Sequence, residues 1–119
     1  MTYLAIFEDR DRGIPRARLV AALKEDWPEA VITDQESQEV RRVVWEYSES
    51  GHDLEGYLHA DGTCIYLDSG LELAAKFALW FRELVPNDIE LLFCDDSYSF
   101  NGVIEHGMSV QEVMAIADA

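Results

Sequence analysis

Three histidines and two cysteines are the residues of this sequence whose chemistry suits nucleophilic catalysis or metal binding. His52, His59 and His106 stand apart, and no pair of them matches a ligand spacing such as HExxH, or CxxC followed by HxxxH. Cys64 has no cationic neighbour or helix start beside it to favour a reactive thiolate, and Cys64 and Cys94 lack CxxC spacing. We therefore expect two buried thiols in a reducing cytoplasm, with no metal, no cofactor and no catalytic centre.

Carboxylates are far more abundant than any other reactive group. The sequence has 24 acidic residues against nine basic ones, which gives a formal net charge of −15. Solubility alone requires a net charge of only about 2 to 8 in magnitude for a small domain. Such a surface repels phosphate backbones and anionic lipid, so we expect no direct nucleic-acid or membrane partner. It attracts basic proteins instead. The alternative is that the acidity only keeps the protein dissolved.

The first quarter of the chain predicts a strand and a helix. The apolar run Tyr3 to Phe7 predicts a buried strand. Pro15 suits the first position of a helix, Pro28 ends that helix, and apolar residues recur at helical spacing between them. Five of the nine basic residues fall near it: Arg10, Arg12, Arg16, Arg18 and Lys24. No basic leader precedes the first apolar run, and no stretch reaches the roughly 18 apolar residues of a membrane helix, so we expect a cytoplasmic protein.

Residues 40–68 predict a three-stranded antiparallel meander. Asp61-Gly62 between two β-prone runs is a strong hairpin signal, and taking it as the loop fixes the register of the last two strands. The facing pairs are then Leu58–Ile65, Tyr57–Tyr66, His59–Cys64 and Glu55–Asp68. Because side chains alternate along a strand, one side of this hairpin is apolar and should face the core. Its residues are Leu54, Leu58, Ile65 and Leu67.

The second half of the chain predicts two more helices and a hairpin. Ser69-Gly70-Leu71-Glu72 and Ser109-Val110-Gln111-Glu112 are capping boxes, and each should open a helix. The first helix, Leu71 to about Val85, should be the most buried, with only Glu72, Lys76, Arg82 and Glu83 needing water. Strands are expected over residues 89–94 and 98–104, with Tyr98, Phe100 and Ile104 on one face and a bulge at Gly102. Hairpins dominate, which predicts one α+β domain with a mainly antiparallel sheet, a central meander and about three helices packed on it.

Two acidic surfaces with aromatic residues are the candidate binding sites. The polar side of the meander would carry Glu55, Tyr57, His59, Tyr66 and Asp68. The turn at Asp95 and Asp96, with Tyr98 and Glu105, is the second candidate. Aromatic rings edged by carboxylates suit an Arg- or Lys-lined cleft, through packing, cation–π contact and ion pairing. The alternative for the first surface is that a helix covers it and that both tyrosines belong to the core.

The chain from about Asp68 to Val113 resembles small uncharacterised bacterial proteins. The likeness rests on the runs Ala78-Leu79-Trp80-Phe81-Arg82-Glu83-Leu84-Val85-Pro86 and Leu91-Leu92-Phe93-Cys94-Asp95-Asp96-Ser97-Tyr98-Ser99-Phe100. In size, acidity and α+β pattern the chain also resembles the immunity proteins of contact-dependent and other polymorphic toxin systems. Those proteins have many folds and share no motif, so the resemblance transfers no binding residue.

The resemblance implies a partner toxin with nuclease activity, whose active site is blocked or whose substrate entry is occluded. Together with the charge, it predicts a cytoplasmic immunity protein that binds a basic, nuclease-like domain. Two alternatives stay open. One is an acidic adaptor module of another process. The other is an unrecognised hydrolase, which a cleft uniting His59, Cys64 and a carboxylate would favour.

Overall fold

A computed structural model describes residues 1–9, 11–34, 41–59 and 61–118, and within these ranges it does not place the side chains of Asp34, Arg41 and Arg42. Arg10, one of the basic residues expected near the first helix, therefore lies outside the described residues. The elements in chain order are β1 (Thr2–Phe7), α1 (Arg16–Asp26), β2 (Val31–Asp34), β3 (Arg41–Glu49), β4 (His52–His59), β5 (Cys64–Asp68), α2 (Leu71–Leu84), β6 (Leu91–Asp95), β7 (Asn101–Ile104) and α3 (Val110–Asp118). This is the expected α+β class. None of these helices is both long and apolar enough to cross a membrane.

The seven strands form one antiparallel sheet in the order β2-β3-β4-β5-β1-β6-β7. The central meander is confirmed as β3, β4 and β5, which are neighbours in this order. Its predicted register is also confirmed, with Leu58 opposite Ile65 and Tyr57 opposite Tyr66. The N-terminal strand β1 lies between β5 and β6 and joins the meander to the second hairpin.

All three helices pack on one side of the sheet. The main core combines residues of α1, α2 and α3 with strand residues from that side only, including Trp45, Leu58 and Phe93. The ring of Phe77 in α2 stacks on Trp27 at 3.9 Å between centroids, and this pair lies over Tyr47 and Trp45. Alternation along each strand therefore decides which residues enter the core and which face away from the helices.

The helix starts differ in part from the sequence expectations. The capping box at the start of α3 is present, because Ser109 and Glu112 exchange hydrogen bonds between side chain and backbone at 3.0 and 3.1 Å. The box expected at Ser69 is wrong. Gly70 is the N-cap residue of α2 and makes no side-chain cap, and the Ser69 hydroxyl donates to the Gly70 carbonyl instead. Pro15 likewise precedes α1 as its N-cap residue rather than occupying the first helical position.

Arg82 does not reach water, contrary to the expectation for α2. Its side chain is buried, and its guanidinium donates to the backbone oxygens of Ile104, Val85 and Pro86 at 3.4, 3.2 and 2.7 Å. Burial lowers the pKa of this guanidinium. The side chain thereby satisfies carbonyls at the end of α2 and ties them to β7.

The last strand is shorter than expected, because β7 begins at Asn101 and Tyr98 lies in the preceding turn. Tyr98 therefore does not share a strand face with Phe100. Gly102 is not a bulge, since β6 and β7 pair in continuous register through it. A Cβ at Gly102 would lie 2.7 Å from Cγ2 of Ile116, so the glycine makes room for α3.

Candidate protein-binding face

The side of the sheet that carries no helix, which we call the open face, is the candidate site. It contains a small central apolar cluster of buried residues, with Tyr66 packed against it. Alternation along the strands gives the open face the following described positions: Thr2, Leu4, Ile6, Val31, Thr33, Val44, Glu46, Ser48, Asp53, Glu55, Tyr57, His59, Cys64, Tyr66, Asp68, Leu92, Cys94, Asn101 and Val103. The alternative that a helix covers the two tyrosines is therefore wrong.

A row of carboxylates crosses the open face. Glu46 lies directly opposite Glu55 in the β3–β4 pair, and Glu55 lies directly opposite Asp68 in the β4–β5 pair. Opposed Cβ atoms in antiparallel strands are about 4.5–5.5 Å apart, so these carboxylates lie close together. The N-terminal ammonium of Met1 is 3.4 Å from Oδ1 of Asp68 at one end of this series. Asp53 joins them in lining an open cleft of about 440 Å³ on this part of the molecule. We call Glu46, Asp53, Glu55 and Asp68 the acidic row.

Two tyrosines lie in register beside the acidic row. Tyr57 and Tyr66 are stacked, with ring centroids 4.4 Å apart and an interplanar angle of 16°. Both side chains are partly exposed. Burial, with smaller effects from Cys64 and Tyr57, raises the pKa of the Tyr66 hydroxyl to about 12. The pair therefore offers a neutral aromatic surface about two residues, or roughly 7 Å, along the strands from the carboxylates.

His59 lies at the far end of this tyrosine pair. Its Nδ1 is 3.0 Å from Oδ1 of Asp61, and its ring centroid is 6.2 Å from that of Tyr66. Burial raises the pKa of Asp61, but hydrogen bonds from Thr63 and the neighbouring His59 outweigh burial and lower that pKa to about 2. Asp61 also accepts from the backbone and hydroxyl of Thr63, so it holds the β4–β5 turn as well as the imidazole.

The turn after β6 separates its two aspartates. Asp95 is 1% exposed, and its carboxylate accepts hydrogen bonds from the backbone and the hydroxyl of Ser99. These bonds lower the pKa of Asp95. Asp96 is exposed. Its backbone N–H donates to the carbonyl of Thr2 at 3.1 Å, and Thr2 lies directly opposite Asp68 of the acidic row. Asp96 thus remains in the candidate surface. Asp95, which the sequence placed beside it, is not available to a partner.

Tyr98 is the aromatic residue that this turn presents to solvent. Its side chain is 62% exposed, and its backbone has a φ of 54°, a left-handed conformation that is an outlier for a bulky residue. The bonds between Asp95 and Ser99 hold the backbone on either side of it. Tyr98 lies near enough to Tyr66 to contribute to the raised pKa of that hydroxyl. The two surfaces predicted separately therefore lie in the same region of the molecule.

Glu105 does not belong to this surface. It follows Ile104, which pairs with Leu91 at the other end of β6 from the turn. Glu46 and Asp53, by contrast, belong to this surface but were not predicted from the sequence. The sequence signal for their position is the Ser50-Gly51 turn, because both of its residues have positive φ and form a two-residue loop. Such a loop fixes the β3–β4 register and puts Glu46 opposite Glu55.

The basic side chains that the structure describes lie on one side of the molecule. No lysine or arginine occupies an open-face strand position whose side chain the structure describes. The basic side chains that are described lie in or near the helices instead, as Arg12, Arg16, Arg18, Lys24, Lys76 and Arg82. The open face therefore concentrates negative charge and aromatic surface on the same side.

Cysteine thiols are the described groups whose chemistry best suits nucleophilic catalysis, and both of them are buried. Cys64 is buried, and its thiol contacts the backbone oxygen of Ile65 at 3.5 Å. Burial raises the pKa of the Cys94 thiol to about 11, which disfavours a thiolate nucleophile there. Within the described ranges, no group of three or more His, Cys, Asp and Glu side chains is placed to hold a metal ion.

Comparison with known proteins gives no relative from which a role can be transferred. No protein-family model, curated protein or solved structure matches the chain.

Proposed function

We propose that the open face binds a basic protein domain and neutralises it, in the manner of an immunity protein bound to a nuclease toxin. The observation that carries this proposal is the acidic row, in which Glu46, Glu55 and Asp68 face one another across three strands. Carboxylates held this close together on one surface suit a cationic partner, which would pair with them on binding.

The aromatic residues beside the row supply packing that carboxylates cannot. Tyr57 and Tyr66 present a stacked pair, and Tyr98 projects from its turn. Tyrosine and arginine are over-represented among the residues that dominate binding energy at interfaces, and a guanidinium can lie on a ring while pairing with a carboxylate. A cleft lined with Arg and Lys side chains, as in an enzyme that binds nucleic acid, matches both parts of this surface.

The experiment starts from the gene that encodes this chain and its upstream neighbour. If the neighbour encodes a large secreted protein, its C-terminal domain is expressed, and its nuclease activity and affinity for this chain are measured. A variant with Glu46→Gln, Glu55→Gln and Asp68→Asn should bind the domain at least about tenfold more weakly, since each lost charged contact costs about 1.5–3 kcal/mol. Tyr57→Ala combined with Tyr66→Ala should weaken the complex while the fold persists.

The matched control removes the same number and type of carboxylates from the helices. Glu25→Gln, Glu83→Gln and Asp118→Asn change three exposed positions in α1, α2 and α3. This control should keep most of the affinity. Equal losses in the two triple variants would mean that total charge, and not the open face, governs binding. A strongest partner that is a metabolic or regulatory protein would replace the toxin assignment with the adaptor one.

Association kinetics give a second test. The on-rate for the true partner should fall steeply as the salt concentration rises from tens to hundreds of millimolar, because the Debye length shrinks from about 30 Å at 0.01 M to about 10 Å at 0.1 M. An on-rate indifferent to salt would contradict electrostatic recognition.

A further inference from the structure

A small cavity lies on the helix side of the sheet, where the loop before α1 meets the end of α2. Its volume is about 230 Å³. The walls are mainly apolar, and four of the residues that form them belong to the buried core, namely Phe7, Ile14, Val85 and Ile89. It is therefore separate from the open face and from the acidic row.

The lining of this cavity has the opposite charge to most of the molecule. Its described lining residues include Arg12 and Arg18 but no Asp or Glu. Arg12 already pairs with the exposed carboxylate of Asp88 at 2.7 Å. Arg18 donates to a neutral acceptor, the backbone oxygen of Leu84, at 3.3 Å. A carboxylate would therefore be a stronger acceptor for Arg18 than the one it has, because a hydrogen bond between two charged groups exceeds a neutral one.

Several neighbouring backbone polar atoms already take part in hydrogen bonds. The backbone oxygens of Val85 and Pro86 accept from Arg82, and the N–H of Ile14 donates to Gly62. Proline at positions 15 and 86 offers no N–H. The cavity thus presents apolar surface and arginine donors, which together suit an apolar body with a single acidic group.

We propose that this cavity binds small monocarboxylates with an apolar body, which lies against Ile14, Val85 and Ile89 while the carboxylate accepts hydrogen bonds from Arg18. The volume equals that of about eight water molecules at roughly 30 Å³ each, which suits a body of one aromatic ring and a short chain. It falls just below the range of about 300–1,000 Å³ for drug-sized ligands, so the ligand is a small molecule.

The probe is 3-phenylpropionate, and its neutral analogue 3-phenylpropanamide is the matched ligand control. Binding is followed through the methyl resonances of Ile14, Val85 and Ile89. The acid should shift these signals saturably, with an affinity about tenfold higher than the amide, because a neutral amide oxygen is a weaker acceptor for Arg18 than a carboxylate. Arg18→Gln should reduce the affinity for the acid about tenfold and the affinity for the amide by a smaller factor.

Lys24→Gln is the matched protein control, since it removes one positive charge from the other end of the same helix. It should leave both affinities unchanged. Equal affinities for acid and amide in the unmodified protein would overturn the proposal without any variant, as would methyl signals that stay unshifted up to the solubility limit of the acid. An equal loss of affinity for the acid in Arg18→Gln and Lys24→Gln would mean that net charge causes the effect. That result would also overturn the proposal.

Discussion

Substituting Tyr66 with phenylalanine isolates the environment of the stacked tyrosine pair. The hydroxyl has a pKa near 12 in the folded chain, mainly because burial disfavours the anion, against about 10 for an unfolded tyrosine. Below about pH 10 both states keep the proton, and Tyr66 contributes no pH dependence. As the pH rises from about 10 to 12, the unfolded chain loses this proton first, so the folded state becomes less stable.

The size of the effect follows from the two pKa values. At about pH 11 the unfolded tyrosine is mostly ionised and the folded one mostly protonated, which removes up to about 1.4 kcal/mol of stability relative to neutral pH. Tyr66→Phe cannot ionise and should escape this loss. Other groups with raised pKa values, such as Cys94, destabilise both proteins equally and cancel in the comparison.

Urea unfolding of both proteins at about pH 8 and about pH 11 measures the difference, and tyrosinate absorbance gives the pKa directly. The wild-type protein should lose about 1.4 kcal/mol more than Tyr66→Phe between these two conditions. If the stability difference between the two proteins stays the same at both pH values, Tyr66 titrates like an unfolded tyrosine. The account of a desolvated tyrosine pair would then fail.

Three further predictions concern the scaffold that holds the open face. Arg82→Met should lower the free energy of unfolding by about 3 kcal/mol, because three backbone carbonyls lose a charged donor. Gly56→Ala should destabilise by about 1–3 kcal/mol or more, since a Cβ there would lie 2.4 Å from the buried Trp45 ring. Ser109→Ala should cost about 1 kcal/mol through its lost cap, and Ser69→Ala should cost less because Ser69 does not cap α2.

Urea denaturation at neutral pH measures all three, and each has its own contradicting result. If the free energy of unfolding of Arg82→Met stays within about 0.5 kcal/mol of the wild-type value, water replaces the guanidinium without loss of stability. A stable Gly56→Ala protein would mean that Trp45 has room to move. An equal loss for the two serine variants would contradict the assignment of Gly70 as the N-cap residue.

Local patterns were sufficient to predict the meander and its register. Alternation and the Asp61-Gly62 turn placed Tyr57 opposite Tyr66 because a hairpin pairs residues that are close in sequence. The same rule also applied to Ser50-Gly51, where a two-residue loop was enough to place Glu46 opposite Glu55. Alternation along the strand also predicts that the side chains of Asp95 and Asp96 point to opposite sides of the sheet at the end of β6. Both features are therefore encoded by local patterns in the sequence.

Other features depend on contacts between distant segments, which no local pattern encodes. The pairing of β1 with both β5 and β6 brings together residues about 60 and 90 positions apart, and it decides that Tyr98 lies near Tyr66. The burial of Arg82 likewise depends on the carbonyl of Ile104, which only the folded sheet places beside α2. An arginine in an amphipathic helix is predicted to be solvent-exposed when the backbone carbonyls that can accept its hydrogen bonds are not known.

The arrangement of the acidic row separates the binding proposal from simple solubility. Carboxylates keep a protein dissolved equally well at any exposed position, so solubility favours dispersing them to limit repulsion. Glu46, Glu55 and Asp68 instead occupy directly opposed positions on three adjacent strands. The turn beside them holds Tyr98 in a left-handed conformation, which Gly or Asn would adopt more easily. A cationic partner seated across the acidic row and Tyr98 would contact both features at once.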